Sequence, residues 1–146
     1  MIPGLTSTSQ TLYVHNLVKE AFEKRGFDVV ALNYRGLLDC PLTTPRFYNL
    51  ETIVDVQEPI EYFYDKYCKN TGKKIMALGC SMGANLLANA IGDDGESCKL
   101  TAAVCMQAPM KSWVVADNLP KILNGAYDRA LAQSMTNVVL KHGDLL

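Results

Sequence analysis

The segment KIMALGCSMGANLL, residues 74–87, decides the fold class of this chain more than any other stretch. It starts with a short apolar run whose length and composition are typical of a buried β-strand. It ends in alanine and leucine residues, which favour a helix. Two glycines, at positions 79 and 83, lie between these halves. We therefore predict a strand over residues 74–78, a tight turn, and a helix over residues 82–91.

The rest of the chain alternates between helical and strand-like patterns. Apolar stripes at helical spacing and β-rich apolar runs mark the further elements. Helices are predicted over residues 11–25, 51–68 and 126–141, and strands over residues 27–34 and 100–106. Pro59 lies inside the second of these helices, where we expect a kink or a late start. The alternation predicts the α/β class, with a mostly parallel sheet flanked by helices and any site at the carboxyl ends of the strands.

Length and composition exclude several classes of protein. The chain has 146 residues, of which 49% are apolar and 20% charged, and its net charge is −1. This is the composition of a globular domain, and the charge balance argues against a nucleic-acid partner. No run approaches the roughly 18 apolar residues of a membrane span. The first four residues, MIPG, do not have the pattern of a signal peptide.

The cysteines indicate reduced thiols rather than a structural framework. They are Cys40, Cys68, Cys80, Cys98 and Cys105. Their number is odd and no C-x-x-C pair occurs, so we expect neither disulfides nor a zinc site. We expect no metal and no cofactor. The expected setting is intracellular, either cytoplasmic or at a membrane through an anchor outside this chain.

The turn GCSMG, residues 79–83, is the main candidate for chemistry. It matches G-x-S-x-G, in which a serine on a sharp strand-to-helix turn projects from the end of a sheet. Here that serine is Ser81, at a helix N-terminus, where free N–H groups and the helix dipole favour developing negative charge. We interpret Ser81 as a nucleophile and the amide of Met82 as an oxyanion donor. The alternative is a tight turn without chemistry.

A second oxyanion donor is expected from the loop after an earlier strand. The candidate is PGLTSTS, residues 3–9. Gly4 would let the backbone approach a substrate, and the amide of Leu5 is the expected donor. The alternative is an ordinary turn, rich in serine and threonine, with a helix cap.

Five segments of the chain together resemble the AB hydrolase family 4 branch of the α/β-hydrolases, the embryogenesis-associated, medium-chain esterase-like group. They are, in order, PGLTSTS, LNYRG, PLTTPRFYN, GCSMGANLL and LTAAV. The resemblance implies a partial α/β-hydrolase fold over residues 1–146, with the core in residues 1–110 and the start of a helical cap in residues 111–146. It also implies a serine esterase or acylglycerol lipase that acts on lipid-like or short- to medium-chain esters. Ser81 would be its nucleophile, and Leu5 and Met82 its oxyanion hole.

The activating groups of such a site are not evident in this chain. An α/β-hydrolase triad runs in the order Ser, Asp or Glu, then His. Asp117 and His142 have that order after Ser81, but the resemblance places them in or near the cap region. His15 precedes Ser81 and is interpreted as a helix-surface residue. We expect the acid and the base to come from sequence outside this chain, which would then be nearly inactive alone.

Three explanations remain open at this point. The chain is a fragment of a longer hydrolase, a catalytically inactive structural or interaction module, or a protein that recruits a base from a partner chain or from His142. Single α/β domains commonly run to roughly 200–250 residues. A partial sheet would leave exposed edges that a partner chain would cover. Any membrane association would use segments outside this chain.

Overall fold

Five helices and two strands make up the regular structure of residues 1–144, which a computed structural model describes. The helices are α1 (Leu12–Lys19), α2 (Val54–Phe63), α3 (Met82–Asp94), α4 (Ser112–Asn118) and α5 (Ala126–Leu140). The strands are β1 (Met76–Cys80) and β2 (Ala102–Met106). Single π-helical turns extend α1 and α2, over Glu20–Lys24 and Tyr64–Cys68. Short 3₁₀ segments follow α3 and α4, over Gly95–Ser97 and Leu119–Gly125.

The two strands form a parallel sheet with α3 as the connection between them. Met76 lies opposite Ala102, and Cys80 lies opposite Met106. Parallel strands require a crossover of this kind because the chain must return to the same end of the sheet. The predicted α/β class, with helices beside a parallel sheet, is confirmed, and the arrangement is that of part of an α/β-hydrolase fold.

The hydrophobic core is built around α3. The first two turns of α3 are buried from Met82 to Leu87, and Leu86 and Leu87 are fully shielded from solvent. Val56 of α2 and Val138 of α5 join the same cluster. Because its leading turns are covered on all sides, α3 is held firmly at the end of β1.

The residues around Ile2 run parallel to β1 and form a short stretch called here the N-terminal ribbon. The N–H of Ile2 donates to the carbonyl of Leu78 at 2.8 Å, and the N–H of Cys80 donates to the carbonyl of Ile2 at 3.0 Å. This parallel bridge carries the chain towards the carboxyl end of β1. The loop over residues 3–7 therefore starts beside the turn that follows β1.

The prediction of a strand over residues 27–34 is wrong. This segment forms no strand and joins no sheet. Its neighbour is Met1, whose amino group donates to the carbonyl of Val30 and whose carbonyl accepts from the N–H of Leu32, both at 2.9 Å. These two hydrogen bonds hold the segment beside Met1, but they do not extend into the regular hydrogen-bond pattern of a β-sheet. Val30 is about half exposed, whereas an apolar run of this kind is typical of a strand covered on both faces.

The helix predictions are confirmed, with differences at the ends. The helix predicted over residues 51–68 starts later, at Val54, and continues through Pro59 before its π-helical turn. The helix predicted over residues 126–141 is α5. None of the helices within residues 1–144 combines the length and the apolar character needed to cross a bilayer.

Candidate active site

Ser81 occupies a strained turn between β1 and α3. Its φ of 52° and ψ of −119° lie in a region that side chains other than glycine rarely adopt. Its N–H donates to the carbonyl of Met106 at 2.8 Å, and its carbonyl accepts from the N–H groups of Ala84 and Asn85. These bonds hold the strained backbone in place, and Ser81 itself is exposed to solvent. This is the geometry that the G-x-S-x-G pattern predicts.

The two glycines of the turn are required by close backbone contacts. A Cβ at position 79 would lie 2.6 Å from the carbonyl oxygen of Gly83 and 2.7 Å from the Cα of Ala84. A Cβ at position 83 would overlap the carbonyl groups of Ile2 and Pro3. The turn can therefore close onto both α3 and the N-terminal ribbon only because these positions lack side chains.

The loop over residues 3–7 lies directly against the turn. A Cβ placed on Gly4 would be 3.3 Å from the Cβ of Ser81, so the backbone at Gly4 passes beside the serine. The N–H of Leu5 donates to no acceptor among residues 1–144, and neither does the N–H of Met82. Met82 is the first residue of α3, where unpaired N–H groups and the helix dipole attract negative charge. Both N–H groups are thus without an acceptor in the part of the chain that the structure describes.

Three tyrosines surround this loop. The hydroxyl of Tyr13 accepts from the N–H of Gly4, and the hydroxyl of Tyr48 accepts from the N–H of Thr6. The hydroxyl of Tyr34 donates to the carbonyl of Pro3 at 2.7 Å. No sequence pattern predicted these contacts, which join the loop to residues 9, 31 and 42 positions away along the chain. Tyr34 and Tyr48 lie in two of the segments that resemble the hydrolase family, LNYRG and PLTTPRFYN, and Tyr13 lies in neither.

Cys80, beside the serine, has no role as a nucleophile in this arrangement. Its side chain is buried at the end of β1, and burial raises the pKa of the thiol. A thiol with a raised pKa holds less thiolate, which is the reactive form. Ser81 is therefore the exposed hydroxyl or thiol that the turn presents.

The structure does not bring Asp117 and His142 together. Asp117 is exposed on α4. His142 follows the end of α5, and its Nε2 atom lies 2.8 Å from the carbonyl oxygen of Gly36. No hydrogen bond or ion pair within the described chain joins either side chain to Ser81. His15 is exposed on α1.

The helix α5 contacts the loop over residues 3–7 and the neighbouring Tyr48. The hydroxyls of Thr6 and Ser134 lie 2.9 Å apart, and the hydroxyl of Tyr48 lies 3.8 Å from the sulfur of Met135. Val138 is buried one turn further along. Within residues 1–144, no cluster of three or more His, Cys, Asp or Glu side chains is arranged to hold a metal ion.

Several known proteins are similar in sequence to this chain over nearly all of its length. The chain is 32% identical over 144 residues to the Embryogenesis-associated protein EMB8 of Picea glauca, covering 97% of this chain and 31% of that protein. It is 31% identical over 140 residues to an Abhydrolase domain-containing protein of Dictyostelium discoideum, covering 94% of this chain and 35% of that protein. The chain belongs to the α/β-hydrolase family. It is also 29% identical over 143 residues to Phospholipase ABHD3 of Mus musculus, covering 97% of this chain and 34% of that protein.

The α/β-hydrolase chain spans about a third of the length of the curated relatives it matches. No family model matches it, and no solved structure matches it. The family assignment therefore rests on these relatives together with the fold.

Proposed function

We propose that this chain carries the acyl-transfer centre of a serine carboxylic-ester hydrolase of the esterase or acylglycerol-lipase type. The observation that carries the proposal is the strained, exposed Ser81 with two unpaired N–H groups near it, those of Leu5 and Met82. The name of a relative, a phospholipase, supports a lipid-like ester as the substrate. Within this class, the acyl group is transferred to water or to another alcohol.

The proposed reaction proceeds through an acyl-enzyme. The hydroxyl oxygen of Ser81 attacks the acyl carbonyl carbon while its proton passes to a base. The carbonyl electrons move onto oxygen, and the N–H groups of Leu5 and Met82 hold that anion. The bond to the leaving alcohol then breaks, and the alcohol oxygen takes the proton from the base. Water repeats these two proton transfers on the acyl-enzyme and releases the carboxylic acid.

We propose that the base and its acid partner are provided from outside residues 1–144. A serine hydroxyl without a base is a poor nucleophile. Neither described histidine touches Ser81, and the ring of His142 faces the carbonyl of Gly36 instead. The same observation favours a second candidate, a catalytically inactive hydrolase-like module that serves structure or interaction.

Fluorophosphonate labelling of the 146-residue chain, with imidazole added as a free base, tests the proposal. The oxygen of Ser81 would form a bond to phosphorus while the P–F bond breaks, and imidazole would take the proton. We expect labelling at Ser81, accelerated by imidazole, because the oxyanion hole and binding alone support roughly 10³–10⁴-fold catalysis over water. Mass spectrometry of the labelled peptide measures the site and the rate.

Two serine variants make the labelling result specific. Ser81→Ala should abolish the label. Ser97→Ala, in the 3₁₀ turn at the far end of α3, should keep it. If circular dichroism shows folded protein and imidazole still produces no label at Ser81, the enzyme proposal fails and the inactive module is favoured.

A further inference from the structure

We infer that Tyr13 and Tyr48 are positioning residues that aim the N–H of Leu5 at the oxyanion. The inference rests on the proposed function of Ser81. It concerns two hydroxyl groups that bond to the backbone on either side of Leu5. Neither group touches the reacting atoms, so each acts through the loop.

The hydrogen bonds of the loop leave one amide free between two that are occupied. The N–H of Gly4 donates to the hydroxyl of Tyr13 at 2.8 Å. The N–H of Thr6 donates to the hydroxyl of Tyr48 at 3.3 Å. The N–H of Ser7 donates to the carbonyl of Gly4 at 3.0 Å, which closes the turn. Among the described residues, the N–H of Leu5 alone in this loop has no acceptor.

The hydroxyl groups are themselves held by buried structure. Tyr48 is 2% exposed, and its ring stacks on that of Tyr34 with centroids 4.8 Å apart. Burial raises the pKa of Tyr48, so its hydroxyl stays protonated and neutral. Tyr13 precedes Val14, the fully buried residue of α1. Tyr34 adds a third bond, to the carbonyl of Pro3, at the start of the loop.

The N–H of Leu5 lies in the same peptide plane as the carbonyl of Gly4, which Ser7 holds by a hydrogen bond, and the tyrosines hold the peptide units on either side. Peptide units are planar, so the loop can turn only about the φ and ψ angles of its residues. Thr6 has a φ of 57°, an uncommon conformation that needs support from its surroundings. With Gly4 and Thr6 bonded to tyrosines, the N–H of Leu5 keeps its orientation before any substrate binds. Donors preorganised in this way are the effective ones in an oxyanion hole.

The test compares Tyr13→Phe, Tyr48→Phe and the double variant with Tyr127→Phe, an exposed tyrosine at the start of α5. Phenylalanine keeps the ring and removes the hydroxyl. We expect each single variant to slow imidazole-assisted fluorophosphonate labelling of Ser81 by about tenfold, since removal of a whole oxyanion donor costs about 10²–10³. The double variant should be slower still, and Tyr127→Phe should match the unmodified protein.

Nuclear magnetic resonance of ¹⁵N-labelled protein separates positioning from a general loss of structure. In the phosphonylated protein, the Leu5 amide proton should move downfield when it bonds to the phosphonyl oxygen, and this shift should shrink in the two tyrosine variants. The amide of Gly4 should exchange faster with solvent in Tyr13→Phe, and that of Thr6 in Tyr48→Phe. Resonances of α3 should stay unchanged.

The outcomes distinguish this inference from the proposed function. If Ser81 is labelled and both variants keep the original rate and the original Leu5 shift, the tyrosines do not position the amide. If Ser81 is never labelled, the proposed function fails. In that case, the amide exchange rates still test the tyrosines separately. If the Gly4 and Thr6 amides exchange at the original rate in the tyrosine variants, the hydrogen bonds to the two hydroxyls are refuted.

Discussion

Glycines 79 and 83 and Ser81 show how single positions shape the site. The serine adopts an unfavourable backbone conformation, and its neighbours at positions 79 and 83 allow it by having no side chain. The contacts differ in kind, because Gly79 faces the start of α3 while Gly83 faces the carbonyls of Ile2 and Pro3. Sequence spacing alone predicted the turn and its serine. It could not identify Ile2 and Pro3 as the partners of Gly83, since they come from another part of the chain.

Gly83→Ala should destabilise the protein, whereas Gly92→Ala on the same helix should not. The new Cβ at position 83 meets backbone carbonyls, and overpacking of this kind costs about 1–3 kcal/mol or more. Nothing lies within 4 Å of a Cβ at position 92, where alanine should stabilise α3 by about 0.5–1 kcal/mol. Urea denaturation measures both values. Equal effects of the two substitutions would contradict the close approach of Ile2 and Pro3.

At the scale of elements, the sequence predicts the helices better than the strands. Hydrophobic spacing located every helix except the short α4, because a helix satisfies its hydrogen bonds within its own segment. A strand depends on a partner, and the run over residues 27–34 has no partner strand among the described residues; beside it lies Met1, which makes two backbone hydrogen bonds to it. For the same reason, the pattern around Ser81 was predictable, whereas the tyrosine contacts to its neighbouring loop were not.

The ion pair between Arg35 and Asp55 should contribute to the docking of α2. Two of the three guanidinium nitrogens of Arg35, Nε and Nη2, donate to the two carboxylate oxygens of Asp55, and this hydrogen bonding raises the pKa of Arg35. Because the pair is partly exposed, we expect Asp55→Asn to lower the free energy of unfolding by about 1–2 kcal/mol. Asp65→Asn removes an exposed pair with Lys69 and should lower the free energy of unfolding much less, because solvent screens that pair. Thermal or urea unfolding that ranks these two variants the other way would contradict this role.

At the scale of the whole molecule, the sheet is covered unevenly. β1 lies between the N-terminal ribbon and β2, whereas every residue of β2 is exposed. No strand within residues 1–144 pairs with the outer edge of β2. Uncovered strand edges are templates for pairing with another chain. We propose that a further segment or a partner chain covers β2, in agreement with the small share of its relatives that this chain spans.

The isolated chain should therefore associate through β2. Val104, at the middle of this strand, is 52% exposed, and a lysine there opposes edge-to-edge pairing. We expect Val104→Lys to shift the 146-residue chain towards monomer in sedimentation velocity. Leu140→Lys makes the same change in charge at an exposed apolar residue of α5 and should have less effect. Equal shifts for both variants would indicate a general effect of charge.

The contact between Gly83 and the carbonyls of Ile2 and Pro3 also has a kinetic consequence. It joins segments that are far apart in sequence, and contacts of that kind form slowly because a long loop must close first. The two proposed oxyanion donors, Leu5 and Met82, belong one to each of these segments. A chain still emerging from the ribosome would hold the first segment long before the second existed. If Ser81 is the nucleophile that we propose, its reactivity would then arise only when the two segments meet.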